Sequence, residues 1–247
     1  MLKESRNEAG TPPRTFVPPV TYLVLALVAG CLLVLGTMVD RRPPQPSADQ
    51  AFSTPSAGLA APPGHPAVPP LPRAEPVRLR IPAIGVNARL ARLGLDRAGA
   101  LEPPPDDEAG LAGWYAGGTA PGSRGTAVTT GHVDTRAGSR GVFYRLGALT
   151  KGETIEIGRA DGRTAVFTVD AVEVYDKERF PDKKVYGTSG RPELRVITCG
   201  GPAGGTGYRG NVVVYATLTA VRQPKGHALP GQRAAERVRT DPGDPSL

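Results

Sequence analysis

Between Val77 and Arg222 the sequence breaks into short runs of β-branched or alternating residues, punctuated by Gly, Pro and Asp. The runs are Val77–Ile81, Val86–Ala91, Thr126–Thr130, Thr154–Gly158, Thr164–Val174, Leu194–Thr198 and Asn211–Ala220. Branched side chains pack well on a pleated, half-buried surface, so runs of this kind read as strands. Helical spacing is confined to two short stretches. In Val142–Leu149, the residues Val142, Leu146 and Leu149 fall at i, i+4 and i+7; Asp107–Ala112 has Asp106 or Asp107 as a candidate cap. Seven or so short strands with little helix bury their apolar faces only as a sandwich or a barrel, so the region is expected to be all-β.

Composition matters because Gly and Pro, 32 and 27 of 247 residues, approach the share at which low-complexity sequence becomes common. The two are segregated. Eleven of the prolines fall between Arg41 and Pro76, whereas the glycines lie mostly beyond. The expected organisation is therefore an N-terminal tail (1–19), a transmembrane anchor (20–39), a Pro-rich linker (40–76), one folded domain (77–222) and a disordered polar tail (223–247). The anchor rests on Val20–Val39, 20 residues without a charge. As a helix that run spans about 30 Å, the hydrocarbon thickness, and it exceeds the apolar core of a cleaved signal peptide. Val28-Ala29-Gly30-Cys31 resembles a bacterial lipoprotein processing box, but the mostly apolar residues that follow Cys31 favour an uncleaved anchor. Lys3, Arg6 and Arg14 face Arg41 and Arg42 across the run, a slight bias toward an inside N-terminus and an outside domain.

The net charge of +7 is spread singly along the chain, without the clustered basic stripe of a nucleic-acid binder. No phosphate-binding glycine loop follows a strand. The two cysteines and three histidines do not make a structural zinc site of the usual spacing. Asp106-Asp107-Glu108 suits a helix N-terminus better than a cation site. Neither a metal nor a cofactor is expected. His65 in the linker and His227 in the tail read as solvated.

That leaves the folded domain one cysteine and one histidine. Cys199 ends the run Leu194–Thr198 and enters the glycine-rich stretch Gly200–Gly207; His132 follows Thr126–Thr130. Singly, each has a bland reading, a small buried thiol or a turn residue. Together they are the parts of cysteine nucleophilic catalysis, which needs a thiolate and a proton carrier within reach. Arg209, in Tyr208-Arg209-Gly210 just ahead of the last run, is a permanent donor for developing negative charge if that run pairs with the one ending at Cys199. For Asp134 two readings stand: an orienter of the imidazole two residues away, or a turn residue. Trp114 and Tyr115 are candidates for an apolar wall or for packing.

Thr130-Gly131-His132, then Val196-Ile197-Thr198-Cys199, then Tyr208-Arg209 before a final strand resembles the sortases, membrane-anchored cysteine transpeptidases of Gram-positive bacteria. The family signature Thr-Leu-x-Thr-Cys matches Thr198 and Cys199, changes Leu to Val196, and departs at Arg195. Gly131–Thr135 and the short Gly-rich stretch before Arg209 are most similar to class E and F sortases of high-GC actinobacteria. The resemblance implies a closed eight-stranded β-barrel with short helices. It implies that Cys199 attacks the Thr–Gly bond of a C-terminal LPxTG- or LAxTG-like sorting signal on a protein substrate, forming a thioester. An amine of a cell-wall precursor or of another protein then resolves it. His132 would be the general acid and base, Arg209 the oxyanion or substrate donor, and Thr198 a substrate-site neighbour; Tyr208 and Trp114 are separate candidates for contact with the substrate. Two other readings remain: a thiol hydrolase that releases the acyl group to water, and a catalytically silent, membrane-tethered binding barrel.

Overall fold

The computed structural model describes residues 20, 24–29, 42–52, 68–188, 190–204 and 207–224, with only the backbone for 199–204 and 207. The remainder of the apolar run, Cys31, His65, His227, residues 53–67 of the expected linker and nearly all of the expected tail lie outside the described residues. The chain divides into two units, Met1–Arg42 and Pro43–Leu247. In the first, residues 20 and 24–29 are helical and exposed. Among the described residues no helix is long and apolar enough to cross a membrane.

The second unit is built on eight strands: β1 (Pro76–Ile81), β2 (Val86–Leu93), β3 (Ala112–Tyr115), β4 (Gly125–Gly131), β5 (Thr154–Arg159), β6 (Thr164–Asp176), β7 (Pro192–Gly204) and β8 (Gly207–Arg222). They close into a barrel in the order β1-β2-β3-β4-β7-β8-β6-β5. Closure leaves no open edge. Two pairings are parallel, β2 with β3 and β4 with β7, and the other six are antiparallel. A parallel pair requires a long crossover, and the two crossovers, 94–111 and 132–191, carry most of the irregular chain.

Side-chain alternation sorts the strands into two layers. The interior is filled by Leu79, Ile81, Ile155, Phe167, Leu194, Val196, Val212, Val214 and Leu218, and Phe143, Leu146 and Leu149 pack into the same cluster. A second cluster lies on the outer face of β4, β7, β8 and β6: Val128, Ile197, Val213, Tyr215 and Ala171, with Val185 against them. Val185 belongs to the short helix Asp182–Tyr186 in the β6–β7 crossing.

Four local expectations change. Asp107–Ala112 forms turns rather than a helix. Instead Ala112 opens β3, a strand of only four residues that periodicity does not single out. Val142–Leu149 forms turns and a single 3-10 turn, Leu146–Ala148. The glycine-rich stretch after Cys199 is paired chain: Ala203 faces Tyr208 and Gly204 faces Gly207, with an irregularity between Gly200 and Ala203. Pro202 falls at that irregularity, where its missing N–H breaks no regular ladder. Part of the expected linker also packs on the barrel. The Phe52 ring stacks edge-on against Tyr215 at 5.0 Å, the Phe52 amide donates to Glu173 at 3.1 Å, and Lys151 donates to Gln50 and Ala51.

Candidate active site

The parallel β4–β7 pair sets the site. Its register runs to Thr130 opposite Ile197. Continued by two residues, it puts His132 level with position 199, about 5 Å away across the strands. Thr198 fixes this level. It is buried, and its hydroxyl donates to the Gly131 carbonyl at 2.7 Å, joining the residue before His132 to the residue before Cys199. The antiparallel β7–β8 pair brings in the third residue. Cys199 faces Asn211 and Gly200 faces Gly210, so Arg209 stands diagonal to position 199, about 7 Å away. Val213 belongs to the outer cluster, and stepping by two from it reaches Arg209 through Asn211. The backbone register thus puts His132 level with position 199 on one neighbouring strand and Arg209 diagonal to it on the other. Arg209 is exposed. The Cys199 side chain lies outside the described residues.

His132 is held from both sides. Phe143 N–H donates to the His132 carbonyl at 2.9 Å, and Gly141 N–H donates to Val133 at 2.9 Å. Two close approaches demand glycine. A Cβ on Gly131 would lie 2.5 Å from Val142 and 2.8 Å from Phe143, and one on Gly141 would lie 2.2 Å from the His132 carbonyl oxygen. The imidazole is 16% exposed. Its Nε2 lies 2.7 Å from the Pro104 carbonyl and 3.5 Å from Asp106 Oδ1; the other Asp106 oxygen accepts from Arg136 Nε at 2.7 Å. Neither Asp106 nor Pro104 figured in the sequence reading as a partner of His132, because nothing in spacing links them to it. Asp134, the candidate orienter, turns elsewhere: its carboxylate accepts from the Tyr208 hydroxyl at 2.8 Å. That bond ties the start of β8 to the loop carrying His132.

A cavity of about 600 Å³ runs along the outer face of β4. Thr126 and Val128 floor it, Leu101 and Tyr115 line one side, and Asp182 and Tyr186 of the short helix line the other. At about 3.3 Å per residue, His132 lies roughly 13 Å beyond Val128 along the strand. The two neighbouring aromatics separate. Tyr115 lines the cavity, whereas Trp114 is 1% exposed, off the cavity lining, with the guanidinium groups of Arg73 and Arg92 5.8 and 5.9 Å from its ring.

Arg195, which departs from the signature, is buried on β7. Its Nε donates to the Val185 carbonyl at 3.0 Å, its Nη2 pairs with Glu193 at 2.8 Å, and it lies 4.5 Å over the Tyr215 ring. It fastens the short helix to the barrel wall. Among the described residues no group of three or more His, Cys, Asp or Glu could hold a metal ion.

Comparison with known proteins gives three findings. The chain is similar to solved structures of sortase A from Listeria monocytogenes (19% identity, 61% of this chain and 90% of that one, TM-score 0.44). It is likewise similar to SrtA sortase from Actinomyces oris (20%, 73% and 97%, 0.46) and to sortase A from Corynebacterium diphtheriae (21%, 64% and 66%, 0.44). Curated proteins give no match. The family model for the Sortase domain matches residues 79–219, more than half of the chain and all eight strands in whole or part. The chain therefore belongs to the sortase family of cysteine transpeptidases.

Proposed function

We propose that this sortase-family enzyme cleaves a C-terminal sorting signal of LPxTG or LAxTG type between Thr and Gly. The acyl group passes through a Cys199 thioester to an amine of a cell-wall precursor or of another protein. The observation that carries this reading is the backbone register, which puts His132 level with position 199 and Arg209 diagonal to it, beyond a cavity against β4. A cavity along β4 suits an extended peptide, with its scissile carbonyl near the thiol.

The roles follow from the chemistry of the side chains. The Cys199 thiolate attacks the Thr carbonyl; at an ordinary thiol pKa of about 8.5 only a few per cent is ionised at neutral pH. Arg209, which stays charged, stabilises the oxyanion. His132 protonates the departing Gly amine and later takes the proton of the incoming amine. Thr198 supports the site from below through the Gly131 carbonyl, and Tyr208 through Asp134. We assign the chain to class E or F on Gly131–Thr135. We also infer a single-pass membrane anchor over residues 20–39, with the N-terminus inside and the catalytic domain outside.

Cys199→Ala tests the reading. Loss of the nucleophile is expected to lower turnover of an LPxTG-like peptide by about 10⁴-fold or more while leaving the circular dichroism and melting temperature of the protein intact. Added amine acceptor is expected to divert product from free acid to amide. Unchanged turnover in the variant overturns the assignment of the nucleophile, and product that stays free acid at saturating amine overturns transfer in favour of hydrolysis.

A further inference from the structure

The Pro104 carbonyl can only accept a hydrogen bond, and so can an ionised carboxylate. His132 Nε2 lies 2.7 Å from that carbonyl and 3.5 Å from Asp106 Oδ1, so Nε2 carries the proton in the neutral ring. Nδ1 is left as the basic nitrogen. We propose that Asp106, with the Pro104 carbonyl, is the positioning device of His132, holding the imidazole in the Nε2–H form so that Nδ1 exchanges the proton in catalysis. The proposal rests on the transpeptidase reading for its catalytic meaning.

The local chain is built for holding a ring still. Pro103-Pro104-Pro105 fixes φ at three successive residues, and each residue before a proline is confined to extended backbone. Both ends of the segment are tied down. Glu102 N–H donates to Gly94 O at 3.1 Å, Val142 N–H donates to Ala109 O at 2.7 Å, and Arg89 pairs with Glu108 at 3.2 Å. Arg136 holds the second Asp106 oxygen, which leaves Oδ1 toward the ring. Glu102, Asp107 and Glu108 flank Asp106 on the same segment, and Glu108 pairs with Arg89. Asp134 accepts from Tyr208, Arg140 lies 4.6 Å over the Tyr144 ring, and Arg209 is on β8. Asp106 is thus the carboxylate that meets the imidazole.

The proton balance is closed. The Cys199 thiol gives its proton to Nδ1 as the C–S bond forms, creating an imidazolium whose charge faces Asp106. When the C–N bond breaks, Nδ1–H passes to the leaving amine and the ring returns to its Nε2–H form. The incoming amine then gives a proton to Nδ1 as the thioester is attacked, and the departing thiolate takes it back.

The test uses the full chain in detergent micelles with ¹⁵N-labelled histidine, the His132 resonances being those lost in His132→Asn. In the parent, neutral His132 is expected to show a protonated Nε2 and an unprotonated Nδ1. In Asp106→Asn the neutral ring is expected to lose its single tautomer and show both nitrogens partly protonated, because the carboxylate oxygen 3.5 Å from Nε2 is gone. In the same variant kcat should fall about ten- to a hundredfold, and KM should stay within about twofold. Asp106→Glu should restore most of the Nε2–H tautomer and of kcat. A protonated Nδ1 in the parent, or an unchanged tautomer and kcat in a folded Asp106→Asn, overturns the proposal. The spectra read the clamp whether or not the chain transfers acyl groups. Lack of Cys199-dependent turnover in the parent would instead sink the transpeptidase reading.

Discussion

At the scale of single residues, the site depends on two positions where no side chain fits. Gly131 and Gly141 let the segment 141–143 close on the backbone of His132. Gly141→Ala would place a Cβ 2.2 Å from a carbonyl oxygen that is itself hydrogen-bonded, so the backbone must shift. The expected outcome is a loss of about 1–3 kcal/mol in stability by denaturant unfolding, with a fall in kcat/KM larger than the unfolded fraction explains. Full activity in a folded Gly141→Ala would mean that this contact does not set the imidazole. His132 and Cys199 stand out in the sequence as the one histidine and one cysteine between Val77 and Arg222, and Arg209 as the arginine just ahead of the run that pairs with the strand carrying Cys199. Asp106 and Pro104 do not, because they approach His132 only through the crossover between two parallel strands. Arg195 was legible only as a departure from a signature; the carbonyl it grips belongs to Val185, in the preceding crossing.

At the scale of elements, the β6–β7 crossing forms one wall of the cavity, and a charged aromatic cluster fastens it. Lys184 of the short helix pairs with Glu173 at 2.7 Å and lies 5.4 Å from the rings of Phe52 and Tyr175 and 5.7 Å from that of Tyr215. Glu173 also accepts from the Tyr175 hydroxyl and from the Phe52 amide. Burial pushes its carboxyl up, but the hydrogen bonds from Lys184, Tyr175 and Phe52 outweigh this and hold it below the usual value of 4.5. A lowered folded-state value means that the stabilisation is present above 4.5 and disappears as the pH falls through the folded value, below 4.5. Glu173→Gln is therefore expected to cost about 1–2 kcal/mol at pH 7, a drop of roughly 2–8 °C in Tm. The gap between parent and variant should close as scanning calorimetry is repeated below pH 4.5. A gap that stays constant with pH would show that the carboxylate charge has no part in the cluster. Strands with sustained β-branched alternation were legible in the sequence, whereas β3 was not: four residues with a glycine among them carry too little period. The paired stretch after Cys199 was hidden because glycines with no side-chain pattern read as loop.

At the scale of the whole molecule, the Pro-rich range 40–76 has more than one role. Its residues 43–52 supply a wall contact to the barrel through Phe52, so this part of the range does not act as a free spacer. The reading of Val20–Val39 as an anchor rests on its lack of charge over a length of about 30 Å, and orientation on a thin excess of Lys and Arg before it. The cysteine count makes both readings testable with one reagent. Cys31 and Cys199 are the only thiols, so Cys31→Ala leaves Cys199 as the sole site of labelling. In intact cells, a membrane-impermeant maleimide is expected to label this variant, and the label should follow the membrane fraction through alkaline carbonate and leave it only in detergent. A deletion of residues 20–39 should place the protein in the soluble fraction. Labelling that requires permeabilised cells reverses the orientation, and release by carbonate removes the anchor. The rate of labelling should rise with pH as the thiolate fraction grows, since the thiolate is the form that attacks a maleimide as well as a peptide carbonyl.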